Sequence, residues 1–274
     1  MRRIDTSGDR GPLVNTTRRA LLLQDPISRR TFASLSRRSD NGRMAHSGRY
    51  VLLRPTDRAT AIRGLRVLMG GPEAAAFQSA GGDEAEILNR VEGFLIYADG
   101  AGLDITRQVM ALELTPDGHP GLVVGMCLWV PAPGRTAMLF GPSASEHPAT
   151  ASATAAAVVA VLEDARAHGT LLVQALVEPA DVAGKTVYVA AGLTHLAALT
   201  YMERKPPLQP PDFTLPAELI LEPYCGATHP LFCEAILASY EQTLDCPALS
   251  GVRSIEHIVE GHKGTIRLDS TPGE

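Results

Sequence analysis

Aromatic residues make up only 5% of this 274-residue chain, and cysteine occurs four times, at Cys127, Cys225, Cys233 and Cys246. No two of these have the C-x-x-C spacing of a zinc or redox site, and four thiols in so long a chain are no disulfide framework. A reducing, intracellular setting is the expectation. Long apolar runs are also missing. The longest uncharged stretches, Gly118–Gly134 and Thr186–Met202, are interrupted by Gly and His. Both fall short of the ~20 apolar residues that a spanning helix needs, so no membrane is expected as a partner. The N-terminus lacks the apolar stretch of a secretory signal. Absent too are a Gly-x-Ser-x-Gly elbow, a phosphate-binding P-loop and a zinc-protease His spacing. His257 and His262, with Glu256 and Glu260, read as a polar helix face. Lys and Glu are missing from residues 1–43, which carry ten Arg and four Asp.

That stretch sums to +6 within a chain of net charge −5, so a basic arm precedes an acidic body. Arginine pairs alternate there with Ser, Thr, Gly and Asp, and no apolar periodicity persists. Residues 1–47 therefore read as a disordered Arg-rich tail. Met44 is an alternative start, and a nucleic-acid-binding arm is the competing functional reading. The charge of the whole chain gives no reason to expect nucleic acid. The chain is 45% hydrophobic and 20% charged, enough apolar side chains for a sizeable core.

Beyond the arm the periodicities alternate. Tyr50–Arg54 is β-rich and stopped by Pro55. Asp57 is placed to cap a helix through Met69 that aligns Ala61, Leu65 and Leu68. Asp83–Tyr97 reads as a second helix, with Ile87, Val91 and Leu95 on one face. Gln108–Leu114, Leu122–Val130 and Arg135–Phe140 read as strands joined by short turns, an antiparallel meander in which Trp129 and Phe140 are core candidates. Ala149–His168 reads as a long helix, Leu171–Val177 as a strand, Asp181–Ala191 as a helix and His195–Met202 as a strand. The order predicts an α/β domain over 48–205 with a mixed, mostly antiparallel sheet flanked by helices. A proline-rich linker occupies 206–217. Residues 218–274 then open like the first domain: Leu219–Pro223 resembles Val51–Pro55 and precedes a helix over Pro230–Leu244. They read as the truncated start of a second copy.

The helix after Val177 carries the most specific pattern. Asp181, Gly184, Tyr188, Gly192 and Leu193 fall on the positions of Asn-x-x-Ala-x-x-x-Tyr-x-x-x-Gly-Phe, with Tyr188 and Gly192 identical. The runs Leu199-x-Tyr201-Met202-x-Arg204 and Ser239–Pro247 are similar to segments that close the first copy and open the second in tandem bacterial acetyltransferases. With the element order, these residues resemble the GNAT N-acetyltransferase family over residues 48 to about 263.

The resemblance implies a GNAT fold and direct attack of an amine on an acyl-CoA thioester, with acetyl-CoA as co-substrate. It implies that the strand carrying Met138, Leu139 and Phe140 offers backbone groups to pantetheine, and that the strand carrying Gln174 splays from it. Ser143, Ser145 and Thr150 would meet the pyrophosphate, and Asp181 would stand where the family has Asn. Tyr188 would protonate the departing thiolate, since a phenol with a pKa of about 10 is neutral at physiological pH. Glu113, on a strand near the centre of the sheet, is the candidate base for the amine. The acceptor would be a small molecule or peptide, the setting cytoplasmic, and a homodimer is compatible with the pattern. The stretch Gly141–Thr150 departs from the family, with no Arg and no Gly-x-Gly; Pro148 has no N–H and Glu146 repels phosphate. A catalytically inactive GNAT-like scaffold or regulatory domain is the alternative expectation.

Overall fold

The computed structural model describes residues 15–22, 43–47, 50–70, 84–141, 148–202, 216, 220–241, 249 and 251–268. Three strands, β1 (Asn15–Leu22), β2 (Arg43–Ser47) and β3 (Tyr50–Leu53), lead into helices α1 (Arg58–Gly70) and α2 (Glu84–Ala101). Strands β4 (Gln108–Leu114), β5 (Pro120–Ala132) and β6 (Thr136–Phe140) follow. Then come α3 (Pro148–Ala167), β7 (Leu172–Val177), α4 (Val182–Ala190) and β8 (Thr194–Met202). Two helices, α5 (His229–Tyr240) and α6 (Ile255–Leu268), complete the described chain.

The strands form one eight-stranded sheet in the order β2-β3-β4-β5-β6-β7-β1-β8. Every neighbouring pair is antiparallel except β6 and β7. A parallel pair needs a long crossover, and the 20-residue α3 supplies it. The fold is thus α/β with a mixed, mostly antiparallel sheet.

Local chemistry accounts for the elements. Asp57 caps α1, its carboxylate accepting from Thr60 N–H at 2.8 Å and from the Thr60 hydroxyl at 2.9 Å. The same bonds hold the Asp57 carboxyl below its ordinary value. Helix α2 runs beyond the expected end at Tyr97, because Ala98 is fully buried and Asp99 receives both guanidinium nitrogens of Arg58 at 2.8 Å. The β5–β6 turn places Gly134 and Arg135 in the left-handed region, at φ 76° and 59°. Arg135 is held there from outside: its Nε donates to Gly169 O at 2.7 Å, and its carbonyl accepts from Leu171 N–H at 2.8 Å.

Helices cover both faces of the sheet. On one, α3 and α4 pack on Val109, Cys127, Trp129, Ala137, Leu139, Val173 and Ala175. On the other, α1 and α2 pack on Met110, Leu112, Val123, Met126 and Leu128. Gly125 lets α3 approach closely, since a Cβ there would stand 2.7 Å from Thr154 N. Trp129 is 1% exposed and gives its indole N–H to Asp164 at 3.0 Å, a carboxylate that also meets Arg54 at 2.9 Å. Phe140 departs from the core expectation: it is 39% exposed, and among the described residues no helix covers the α1/α2 face of the sheet at β6.

Two further expectations are corrected. The arm read as a disordered tail supplies β1 and β2. The backbone groups of β7 and β8 on their facing edges need partners. The run Asn15–Leu22, with two Thr and two Leu, supplies them in an unbroken register from Arg19–Val177 to Leu22–Gln174 on one side, and from Asn15–Met202 to Leu22–Thr194 on the other, with one irregularity between Ala20 and Leu21. Met44 lies within β2, paired with Leu52. Conversely, the run expected as a strand at Leu219–Pro223 is not one over its described residues 220–223. Ile220 and Leu221 are 82% and 74% exposed, and among the described residues no strand pairs with them. The linker 206–217 lies outside the described residues apart from Pro216.

Candidate active site

Strand β6 pairs with β5 as far as Phe140, opposite Leu128. Its pairing with β7 ends sooner, at Leu139 opposite Ala175. Past that point β7 pairs on its other side with β1, through Leu176 and Val177. The two parallel strands therefore part at their C-terminal ends, and Gly141 is the first residue beyond β6 at this opening. Alternation puts Leu139 against α3 and α4, and turns Met138 and Phe140 to the uncovered face. Leu176 is 40% exposed in β7, and Gln174 is half-buried between Met138 and Leu22 in the sheet.

Helix α4 delivers Tyr188 to the same opening. Asp181 caps α4 by accepting from Gly184 N–H at 2.7 Å. A Cβ at Gly184 would collide with that carboxylate, so this position matches a small residue for a local reason. Tyr188 is 7% exposed, and a Cβ at Gly141 would lie 2.8 Å from its hydroxyl. Burial drives the phenol far above its ordinary value; Cys127 adds to this, a bond from Gly141 N–H opposes it, and Asp181 adds a smaller push. The phenol stays protonated throughout the physiological range. Being neutral, it carries a proton to give and cannot act as a base, and its burial makes it a weaker acid than a free phenol.

The sequence-predicted residues divide into groups. Tyr188 and Leu139 meet on the α3/α4 face near the end of β6, while Phe140 and Met138 turn to the other face, Met138 paired with Gln174 inside the ladder. Asp181 serves as the α4 cap. Thr150 is buried, at 2% exposure, in the first turn of α3. One turn on, the Thr154 hydroxyl is buried without a hydrogen-bond partner. Ser143 and Ser145 lie outside the described residues. Glu113 is set apart: it is exposed and faces Tyr50 across β3 and β4. Gly141 aligns with Cys127 and Val109, so Glu113 stands four residues along and two strands across, on the order of 15 Å away. Sequence reasoning missed the Gly141 N–H and the neighbouring Cys127. A glycine directly after a β-run was the available signal for the first, and none marked the second.

Among the described residues no group of three or more His, Cys, Asp or Glu is placed to hold a metal, and no helix is long and apolar enough to cross a membrane. No protein-family model matches this sequence, and no curated protein matches it either.

Proposed function

We propose that this chain is an acyl-CoA-dependent N-acyltransferase of the GNAT type, moving an acetyl group from acetyl-CoA to the amine of a small molecule or peptide in the cytoplasm. One observation carries the reading: a buried, neutral phenol meets the backbone of Gly141 where the parallel strands β6 and β7 part. The register of β6 with β7 ends at Leu139, and backbone groups beyond it suit the amides of pantetheine. The shelf of Met138 and Phe140 suits its apolar portions. The amine attacks the thioester carbonyl, the C–S bond breaks, and Tyr188 gives its proton to the leaving thiolate. Glu113 is too distant to act on the same acyl group, so solvent takes the proton of the amine and returns one to Tyr188. Residues 218–274 are read as the opening of a second such domain on the likeness of Pro223 to Pro55 and their preceding residues.

A calorimetric and thermal-shift titration tests this. CoA at a hundredfold excess over Kd stabilises a folded state by ~2.7 kcal/mol, so a clear rise in melting temperature is expected at millimolar CoA. Tyr188→Phe keeps that shift and lowers kcat by about a hundredfold. A folded sample with no shift sinks the proposal and favours the inert scaffold, to which the unusual run Gly141–Thr150 already points.

A further inference from the structure

The turn before α5 and the start of α5 gather side chains that the acyl-transfer cleft does not use. Cys233 sits one helical turn after His229, and its Sγ lies 3.3 Å from His229 Nε2. The other ring nitrogen, Nδ1, lies 2.9 Å from the hydroxyl of Tyr224. Tyr224 is itself fixed: its ring stands edge-on to Phe232 at 5.3 Å and carries the Lys263 ammonium over its face at 4.8 Å. Sγ also lies 3.9 Å from Nδ1, so thiol, imidazole and hydroxyl form one cluster around the ring. Cys233 and His229 are both half-buried, so the thiol is reachable from solvent.

Helix α6 adds charges around this cluster. Lys263, held protonated mainly by Tyr224, also interacts with Cys233 and with Glu260. Glu256, whose carboxyl is held down mainly by the backbone and Ser254, also interacts with His229 and His257. Cys225 has a different partner, the Thr228 hydroxyl at 3.5 Å, and bonds to Thr228 hold its thiol below the ordinary value.

We propose that Cys233, His229 and Tyr224 form a second reactive site, a thiol nucleophile that accepts acyl groups from activated carboxylic acyl donors. A base within reach of the nucleophile, and a third group orienting that base, are the elements such chemistry needs. His229 takes the proton of Cys233, and the thiolate attacks the carbonyl carbon to form the new S–C bond. The bond to the leaving group breaks, and the leaving oxygen or sulfur takes the proton back from His229. The product is S-acyl-Cys233. Tyr224 is a positioning residue. This site is independent of CoA binding at Tyr188.

The test treats the full chain with p-nitrophenyl acetate, follows release of p-nitrophenol, and locates acetyl groups by peptide mass spectrometry. Cys233 is expected to label at least about tenfold faster than Cys225, and His229→Asn to remove at least about tenfold of that rate. Tyr224→Phe should slow labelling of Cys233 and leave that of Cys225 unchanged. Labelling of Cys233 no faster than Cys225 overturns the proposal. The ratio of the two cysteines in the unsubstituted chain decides the matter even if His229→Asn fails to fold. Cys233 labelling without CoA binding leaves this proposal standing and removes only the previous one.

Discussion

Tyr188 and Cys127 are buried titratable neighbours, and their protonation ties stability to pH. Burial raises both above their ordinary values of 10.0 and 9.0. Below pH 9.0 the groups are protonated in folded and unfolded chains alike, so their contribution is fully present. As pH rises past that point the unfolded chain releases protons first, and stability falls. Urea midpoints measured from pH 7 to 11 should therefore decline on the alkaline side. Tyr188→Phe and Cys127→Ala should each flatten that decline, whatever they do to stability at neutral pH. An unchanged alkaline slope in both variants would show that the two groups titrate alike folded and unfolded.

Among the elements, α4 depends on its cap and α6 on a turn. Asp181→Ala removes the bond to Gly184 N–H and should cost ~1 kcal/mol. Because the same helix aims Tyr188, acetyl transfer should fall further than stability does, and Asp181→Asn should restore both. At the β5–β6 turn, Gly134 combines a left-handed backbone with close contact: any Cβ would collide with the His257 carbonyl of α6 and approach Gly261 N. Gly134→Ala should undock α6, read as faster amide exchange around Val259, which is 3% exposed. Protection of α3 should be unaffected. Elements of this kind were legible in the sequence wherever their determinants are local. The Asp57 cap, the alternation of Gln108–Leu114 and the apolar run of Leu172–Val177 each sit within one turn or strand of what they specify. Strand β1 was illegible because its partners are far along the chain and its own run is short. The exposure of Phe140 and the separation of Glu113 from Tyr188 were hidden for a similar reason. Both depend on where helices land and on strand register, which no single segment encodes. Tyr188 was legible through its spacing to Gly192, and its environment was not.

At the scale of the whole molecule, the sheet is completed by residues from its own beginning. A chain starting at Met44 has no β1, so β7 and β8 would face one another across an empty position. Such a chain should melt at a lower temperature than the full one, with the largest loss of amide protection in β8. A synthetic peptide spanning Asn15–Leu22 should bind it and recover part of the loss. Equal stability of the two chains would show that β1 contributes nothing to the sheet.

That arrangement also has a consequence in time. The first strand leaves the ribosome more than 150 residues before Val177, the end of its nearer partner, is made. At typical synthesis rates the wait is roughly ten to thirty seconds, during which a Leu-ending strand that carries Arg18 and Arg19 waits for its partners. Those two charges, with the other arginines of residues 1–43, oppose aggregation of the nascent segment until its place exists.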